Sequence, residues 1–418
     1  MKLIKLITLS LILTGIFSCK KDEKIEETPK PLPCEVIDYN ITTTKTLVKR
    51  QTIKGVADYC ITKRIYITSG AGLIIEPGVI IEFTQNAGID AGRTGSNGYI
   101  KAIGGGNNKI LFTGKTKTPG FWRGIFIFYD NNDVRNILDN CIVEYAGSEN
   151  LSGGYLNYKA GVGVGSNPSV GTTGLLSLKN TTIKNTTGKG FASDALGINA
   201  FENNVFNNNS QEAIVASFAQ FSKIDGNTFF SNNGADGVSL SIHPSAKQYI
   251  NDNQIHTWKK LSGNNLYHII KSVRVSSGGL KLSPGVKIEM GSNKQFKIDG
   301  TGYFNAIGTS AEPIIIQGTV LGTPSWNSLF FKTNNPLNKM KYCEISEAGV
   351  GTIFSSGCNG AASVGLYYWS GTTSSINITN STIKNGGGCG IFTVATNLSN
   401  LTQSGNTFTN LVGANICN

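Results

Sequence analysis

The stretch GLIIEPGVIIEF, Gly72 to Phe83, returns as GLKLSPGVKIEM, Gly279 to Met290. Leu73, Ile75, Val79, Ile81 and Phe83 are apolar, and so are their counterparts Leu280, Leu282, Val286, Ile288 and Met290. The positions between them diverge: Ile74 gives way to Lys281, Glu76 to Ser283 and Ile80 to Lys287, and only Glu82 and Glu289 agree. Apolar residues kept at every second position, with free variation between, are the mark of strands with one buried and one wet face. Pro77-Gly78 and Pro284-Gly285 fix one backbone angle and relax the next, so each stretch holds two short strands with a bend between them.

The correspondence runs far beyond this stretch. Tyr59 to Gly72 aligns with Tyr267 to Gly279, and Tyr99 to Gly114 with Tyr303 to Gly318. Trp122 pairs with Trp326, Cys141 with Cys343, Ala146-Gly147 with Ala348-Gly349, and NTTIKN (Asn180 to Asn185) with NSTIKN (Asn380 to Asn385). The offset drifts only from 208, at Tyr59 and Tyr267, to 200, at Asn180 and Asn380. The folded part is a tandem duplication of a unit of roughly 200 residues, read as 36–245 and 246–418.

A shorter period lies inside the unit. Ile183, Phe206 and Phe229 follow one another at 23 residues, and Gly190-Phe191, Ala213-Ile214 and Gly237-Val238 keep nearly the same step. One short β pattern per period, with asparagines at the turns, is what a coil of an all-β solenoid requires, each coil stacking its apolar positions on the last. Only 15% of the chain is charged while Gly numbers 51, which suits short strands joined by tight turns, and no amphipathic helix of useful length follows residue 35. In these repeats the chain resembles the right-handed parallel β-helix family of secreted and surface proteins, pectate-lyase-like in architecture. The phrase L-x-h-x-P-G-V-x-I-x-F, followed by A-x-G and a W-x-G-like segment, is common among its lipoprotein members. The resemblance implies two β-helix units stacked as one long solenoid, with loops leaving from one side, and it speaks for fold rather than activity.

Ahead of this body, Lys2 and Lys5 precede an apolar run, Leu6 to Phe17, too short for an ordinary membrane span; residues 1–18 read as a secretion signal. Ile16-Phe17-Ser18-Cys19 resembles a bacterial lipobox, and Lys20-Lys21-Asp22-Glu23 resembles the export signal of surface lipoproteins of Bacteroidetes. The expectation is a lipid anchor at Cys19 in the outer membrane, exposed on the cell surface, with residues 19–35 as a charged, proline-rich tether. The formal charge is +11 but shows no Lys/Arg cluster along the chain, so no nucleic-acid partner is expected.

With Cys19 acylated, seven cysteines remain for an oxidising compartment. Cys34 and Cys60 bracket the first coil, and Cys60 corresponds to His268 in the second copy, which points to a disulfide clip special to the amino end. Cys358, Cys389 and Cys417 are spaced by 31 and 28 residues, so two of them can bridge adjacent coils. Cys141 and Cys343 sit in equivalent strands as small buried thiols. With no C-x-x-C pair and three histidines in the whole chain, no metal centre is expected; Asp130 and Asp133 in YDNNDV bear only a faint likeness to a calcium loop.

A catalytic cluster on a solenoid is built from neighbouring coils, so its acids recur at the coil period. Asp139, Asp194, Asp225, Asp236 and Asp252 are available, but none sits beside a second carboxylate, and Arg123 is replaced by Asn327 in the second copy. What the copies share is structural, apart from Glu82/Glu289 and Lys184/Lys384, which solvated strand positions explain. His243, His256, Trp258 and His268 crowd the joint between copies, where packing is the commoner reason. For binding, Tyr367-Tyr368-Trp369 must turn at least one ring outward, because neighbours alternate along a strand, and Tyr129, Tyr155 and Tyr158 are candidates in the first copy. The expectation is a non-catalytic adhesion or binding module for polysaccharide or another surface glycoconjugate. A polysaccharide lyase or glycoside hydrolase, and a passive envelope component, are the competing readings.

Overall fold

The computed structural model describes residues 30–153, 156–167, 172–194, 196–242, 247–351, 360–367, 373–393 and 400–418. The chain is a parallel β-helix: each coil lays one strand on each of three faces, and each strand pairs in parallel with its equivalent in the next coil. In the first copy the chain passes in turn through sheet I (Lys45–Leu47 to Ile198–Glu202), sheet II (Glu35–Ile37 to Phe229–Ser231) and sheet III, which starts at Arg64–Ile67. Sheet III does not stop at the joint. It runs on through Leu266–Ile269 to Thr407–Leu411, so the copies stack end to end on a shared sheet. The other faces of the second copy are sheet IV (Tyr249–Ile250 to Ile416–Cys417) and sheet V (Ile255–Trp258 to Leu401–Ser404).

The alternation in the sequence explains the wall. Leu73, Ile75, Ile81 and Phe83 are buried, while Ile74, Ile80 and Glu82 face outward. Register then aligns the inward residues into ladders. On sheet III one ladder passes from Ile65 through Ile89, Ile125, Val162, Phe191, Ile214, Val238, Tyr267, Ile288, Ile316, Ile345 and Ile383 to Phe408. Such identical stacking lets every coil bury its apolar face against two neighbours, which a single coil cannot do.

Turns are set by asparagine. Asn180, Asn185, Asn203, Asn208, Asn380 and Asn385 hold φ between 48° and 55°, a left-handed conformation that asparagine tolerates better than most residues. After Asn203 and Asn208 a second, buried asparagine ties coils together: Asn204 Nδ2 donates to the Leu178 carbonyl at 3.0 Å while its Oδ1 accepts from Thr181 N–H at 3.0 Å. This satisfies backbone groups that the bend would otherwise leave unpaired in the interior.

One ladder departs from the 23-residue reading. Ile183 stacks on Phe206, but Phe206 stacks on Phe230, not Phe229. Phe229 points outward and is 52% exposed. The coil between them carries an irregular segment, the 3₁₀ helix Phe218–Lys223 in place of a sheet I strand, and is one residue longer.

The same segment begins the joint, where the second copy is set one face out of phase. Gly72–Ile75 lies in sheet I and its copy Gly279–Leu282 in sheet V, but Ile80–Phe83 lies in sheet II while its copy Lys287–Met290 continues sheet III. Gly88–Ala91 of sheet III has its counterpart, Gln295–Asp299, on sheet IV. Phe218, Phe221, Trp258 and Tyr267 fill the core at this junction, with ring centroids 4.8 to 5.4 Å apart from Trp258 to Tyr267 and from Phe221 to Tyr267. Trp258 is fully buried, which settles its role as packing.

Disulfides clip both ends. Cys34 is joined to Cys60 and Cys389 to Cys417, each bond linking neighbouring coils. Cys358 lies outside the described residues. Cys141 and Cys343 are free, buried thiols that donate to the Ala102 and Ala306 carbonyls, and burial pushes the Cys343 thiol up to about 12.

Candidate binding faces

Loops leave the solenoid around equivalent strands of the two copies. In the first copy the hairpin formed by Asn150–Gly153 and the start of Leu156–Val164 folds over the outside of sheet III. Leu151 and Leu156 pack there on Phe126 and Ala192, outside the main core. The equivalent strands of the second copy, Ser328–Lys332 and Ala362–Leu366, are on sheet IV.

Aromatic rings collect outside the wall on both faces. On sheet III, Phe128 and Tyr129 lie 4.6 Å apart, Tyr158 reaches Ser241 through a 3.1 Å hydrogen bond, and Lys189 Nζ stands 4.8 Å from the Tyr158 ring. Tyr66 is flanked by the guanidinium groups of Arg64 and Arg93 at 4.9 and 5.7 Å. On sheet IV, Phe330 and Phe392 pack with the Cys389–Cys417 bridge, Tyr367 meets Phe330 edge-on at 5.8 Å, and Lys332 Nζ lies 4.5 Å over the Tyr367 ring. Tyr155, Tyr368 and Trp369 lie outside the described residues, as do Cys19 and His243.

The acids do not converge. Asp139 accepts from Asn180, Asp225 staples the turn at Thr228, Asp236 holds Asn233 and Asp252 pairs with His256. Asp194 is buried and accepts from Ser241 at 2.6 Å; desolvation pushes its carboxyl up to about 6 against the pull of Ser241 and Lys189. Asp133 is taken by Arg135, whose hydrogen bonds hold its pKa below the usual range, and Asp130 accepts from Gly95 N–H, so the two do not face a common ion. Among the described residues no group of three or more His, Cys, Asp or Glu is placed to hold a metal. His256 and His268 are on sheets V and III: His256 bonds Asp252, and His268 bonds Glu289 and the Asp236 carbonyl. Burial opposes charging His268, but Glu289 and that carbonyl outweigh it and raise its pKa.

The matched polar pairs fall in one outward row per copy. Glu82, Thr113, Glu144 and Lys184 are in register on sheet II; Glu289, Gln317, Ser346 and Lys384 are in register on sheet III. Each is engaged by a neighbour, Glu82 by Lys117, Lys184 by Glu144, Glu289 by His268 and Lys384 by Glu344. They are partly exposed pairs on the outer face, their side chains ranging from 11% exposed at Glu144 to 48% at Lys117.

Three features were not visible in the linear sequence. The first is an ion cluster outside sheet III, in which Arg123 and Arg64 both bond Asp90; Arg123 and Asp90 are 1% and 0% exposed. Its signal was a paired change, since register places Lys297 and Asn327 where Asp90 and Arg123 stand in the first copy. The second is an open groove of about 800 Å³ at the start of the solenoid, lined by Ile53, Pro77, Ile80 and Leu111 together with Lys49, Lys54 and Lys109. The third is sheet V, where register gathers Lys281, Lys339 and Lys341 from distant parts of the sequence onto one outer face. Lining up the sequence by coils would have shown it, whereas a scan for adjacent basic residues cannot.

Comparison with known proteins adds nothing to this geometry: no protein family model matches the chain, nor does any curated protein or solved structure.

Proposed function

We propose that the chain is a non-catalytic binding module, held at the outer membrane by an acylated Cys19, whose loop-bearing faces take a surface glycan. The observation that carries this reading is the repeated use of aromatic residues outside the solenoid wall. A β-helix needs aromatics inside its coils; both copies also keep a cluster on the outside of equivalent strands, in which Phe126, Phe128, Phe330 and Phe392 are buried and Tyr129, Tyr158 and Tyr367 are the partly exposed rings, with Lys332 over Tyr367. Sugar rings stack on accessible rings such as those tyrosines, and a neighbouring cation adds affinity for carboxylated or sulfated sugars.

The test uses the full chain carrying Cys19→Ser, with acidic and neutral polysaccharides and calcium, following both retention on the polymer and the appearance of new chain ends. Retention without cleavage, weakened by Tyr367→Ala and by Lys332→Ala, is expected. New chain ends from any polymer would replace this reading with the enzymatic one, and no retention on any polymer would leave the envelope-component reading.

A further inference from the structure

The outer face of sheet V combines three properties found together on no other face of the described solenoid. None of its strands, Ile255–Trp258, Gly279–Leu282, Tyr303–Ile307, Lys339–Lys341, Ile376–Thr379 and Leu401–Ser404, contains an acid. Lys281 and Lys339 stand two rungs apart in one outward row, with Asn305 between them, and Lys341 stands in the next row beside Ile307. Among the described residues none of these three lysines has a salt bridge, Lys341 Nζ instead lying 5.2 Å from the Tyr342 ring, whereas Lys384 of sheet III pairs with Glu344 and Lys260, just past the end of a sheet V strand, pairs with Glu312. Finally, aliphatic side chains stand out beside them: Ile255 is 58%, Ile307 41% and Leu337 45% exposed.

The fold does not demand this composition. The equivalent outer face in the first copy, sheet I, carries Asp139 and Glu202, with Lys179 paired to Glu202 at 3.2 Å. We propose that the outer face of sheet V docks on an anionic lipid surface, its lysines meeting lipid phosphates and Ile255, Ile307 and Leu337 entering the headgroup boundary. Lysines without a carboxylate partner, interleaved with aliphatics, are what such a surface recognises, lysine by charge and aliphatics by burial. A glycan would call for a row of exposed rings, but Tyr303 is 7% exposed and lies flat over Gly279, and the partly exposed Tyr342 stands past the end of its strand, in a turn with its ring 5.2 Å from Lys341 Nζ. A second copy of the same face would meet it with like charge. This inference does not rest on the glycan reading, which concerns sheets III and IV.

The experiment is vesicle co-sedimentation of the full chain carrying Cys19→Ser, so that no acyl anchor contributes, with phosphatidylcholine vesicles with and without phosphatidylglycerol. The quantity read is the difference between the two vesicle types, which residues 1–18 affect equally in every variant. Stronger binding to the anionic vesicles is expected, decreasing with salt, and weakened about fivefold by each of Lys281→Ala, Lys339→Ala and Lys341→Ala. Ile255→Ser with Ile307→Ser should weaken binding without changing its salt dependence. These exposed positions leave the core intact, and unchanged thermal unfolding verifies that. Equal binding to both vesicle types, or a triple lysine variant that binds as well as the parent, overturns the proposal. Full competition by soluble glycerol phosphate would overturn it in favour of a free-anion site, and tighter lysine-dependent retention on DNA or an acidic polysaccharide would overturn it in favour of that polymer.

Discussion

Replacing Asp90 by Asn should cost more than almost any other single isosteric change in this chain. Asp90 faces outward from sheet III, yet it is wholly covered and accepts from Arg123 on one oxygen and from Arg64 on the other, the Arg64 Nε contact measuring 3.0 Å. Room for the Arg123 stem comes from Gly88, where an added Cβ would sit 3.1 Å from Arg123 Cβ, and the guanidinium lies 5.9 Å from the Phe126 ring. Burial already pushes the Arg123 pKa down, against the field of Asp90. Asp90→Asn removes the compensating charge and strands a guanidinium in the interior, a loss of about 3–5 kcal/mol. Arg123→Gln should cost less, about 2 kcal/mol, because Asp90 keeps Arg64, which is about one-third exposed and draws on solvent. The double variant should fall short of the sum by roughly 1–3 kcal/mol, since each single change already breaks the same contact. Urea unfolding followed by far-ultraviolet circular dichroism and tryptophan emission measures all three. A loss below about 1 kcal/mol for Asp90→Asn, or strict additivity in the double variant, would refute the claim that the pair is mutually dependent.

Asp194 gives a pH-dependent counterpart. Its folded pKa is raised, so its protonated form suits the native state, and its destabilising effect is absent below the unfolded value and grows as pH rises through about 6. Asp194→Asn should therefore raise stability at pH 8 by up to roughly 3 kcal/mol and leave it unchanged near pH 3; equal effects at both pH values would contradict the sign. Reducing the Cys389–Cys417 bond, which spans 28 residues, should destabilise the last coil by about 3–4 kcal/mol, seen as faster hydrogen exchange over 401–417 with little change near sheet I. Exchange unchanged by reductant would show that the bond adds nothing to the last coil. At Gly279 an added Cβ would come within 2.0 Å of the Tyr303 ring, so Gly279→Ala should expel that ring at a cost of about 1–3 kcal/mol, read from the thermal midpoint and tyrosine emission. An unchanged midpoint would mean that the ring has room to move aside.

The sequence carried most of the wall of this fold and only part of its chemistry. Alternation at Leu73 to Phe83 predicts which side chains enter the coil, and the asparagine steps predict where coils turn, because both are local demands of a stacked strand. The choice between Phe229 and Phe230 is not local. It depends on the length of the irregular coil at Phe218–Lys223, and a constant period overlooks that single residue. Nor does period reveal the face on which a returning strand lands, so the move of the Lys287–Met290 type of strand onto sheet III could not be read. Charge clusters suffer most, because solenoid neighbours are one coil apart in sequence. Asp90 and Arg123 are 33 residues apart and meet; Asp130 and Asp133 are 3 apart and do not. Of the aromatic triplet, Tyr367 stands beside Lys332 outside the wall, while its two neighbours fall beyond the described residues.

The one-face step at the joint sets a limit on how this chain can hold on to anything. Two equivalent surfaces in phase would face the same flat target together and multiply their grip. Here they look in different directions, so simultaneous engagement requires two separate targets or one flexible strand that bends around the corner between sheets III and IV. Avidity for a rigid planar surface is closed to the pair by geometry, and cross-linking is open to it. For a chain that binds through these faces as proposed, duplication makes a bridge rather than a broader pad.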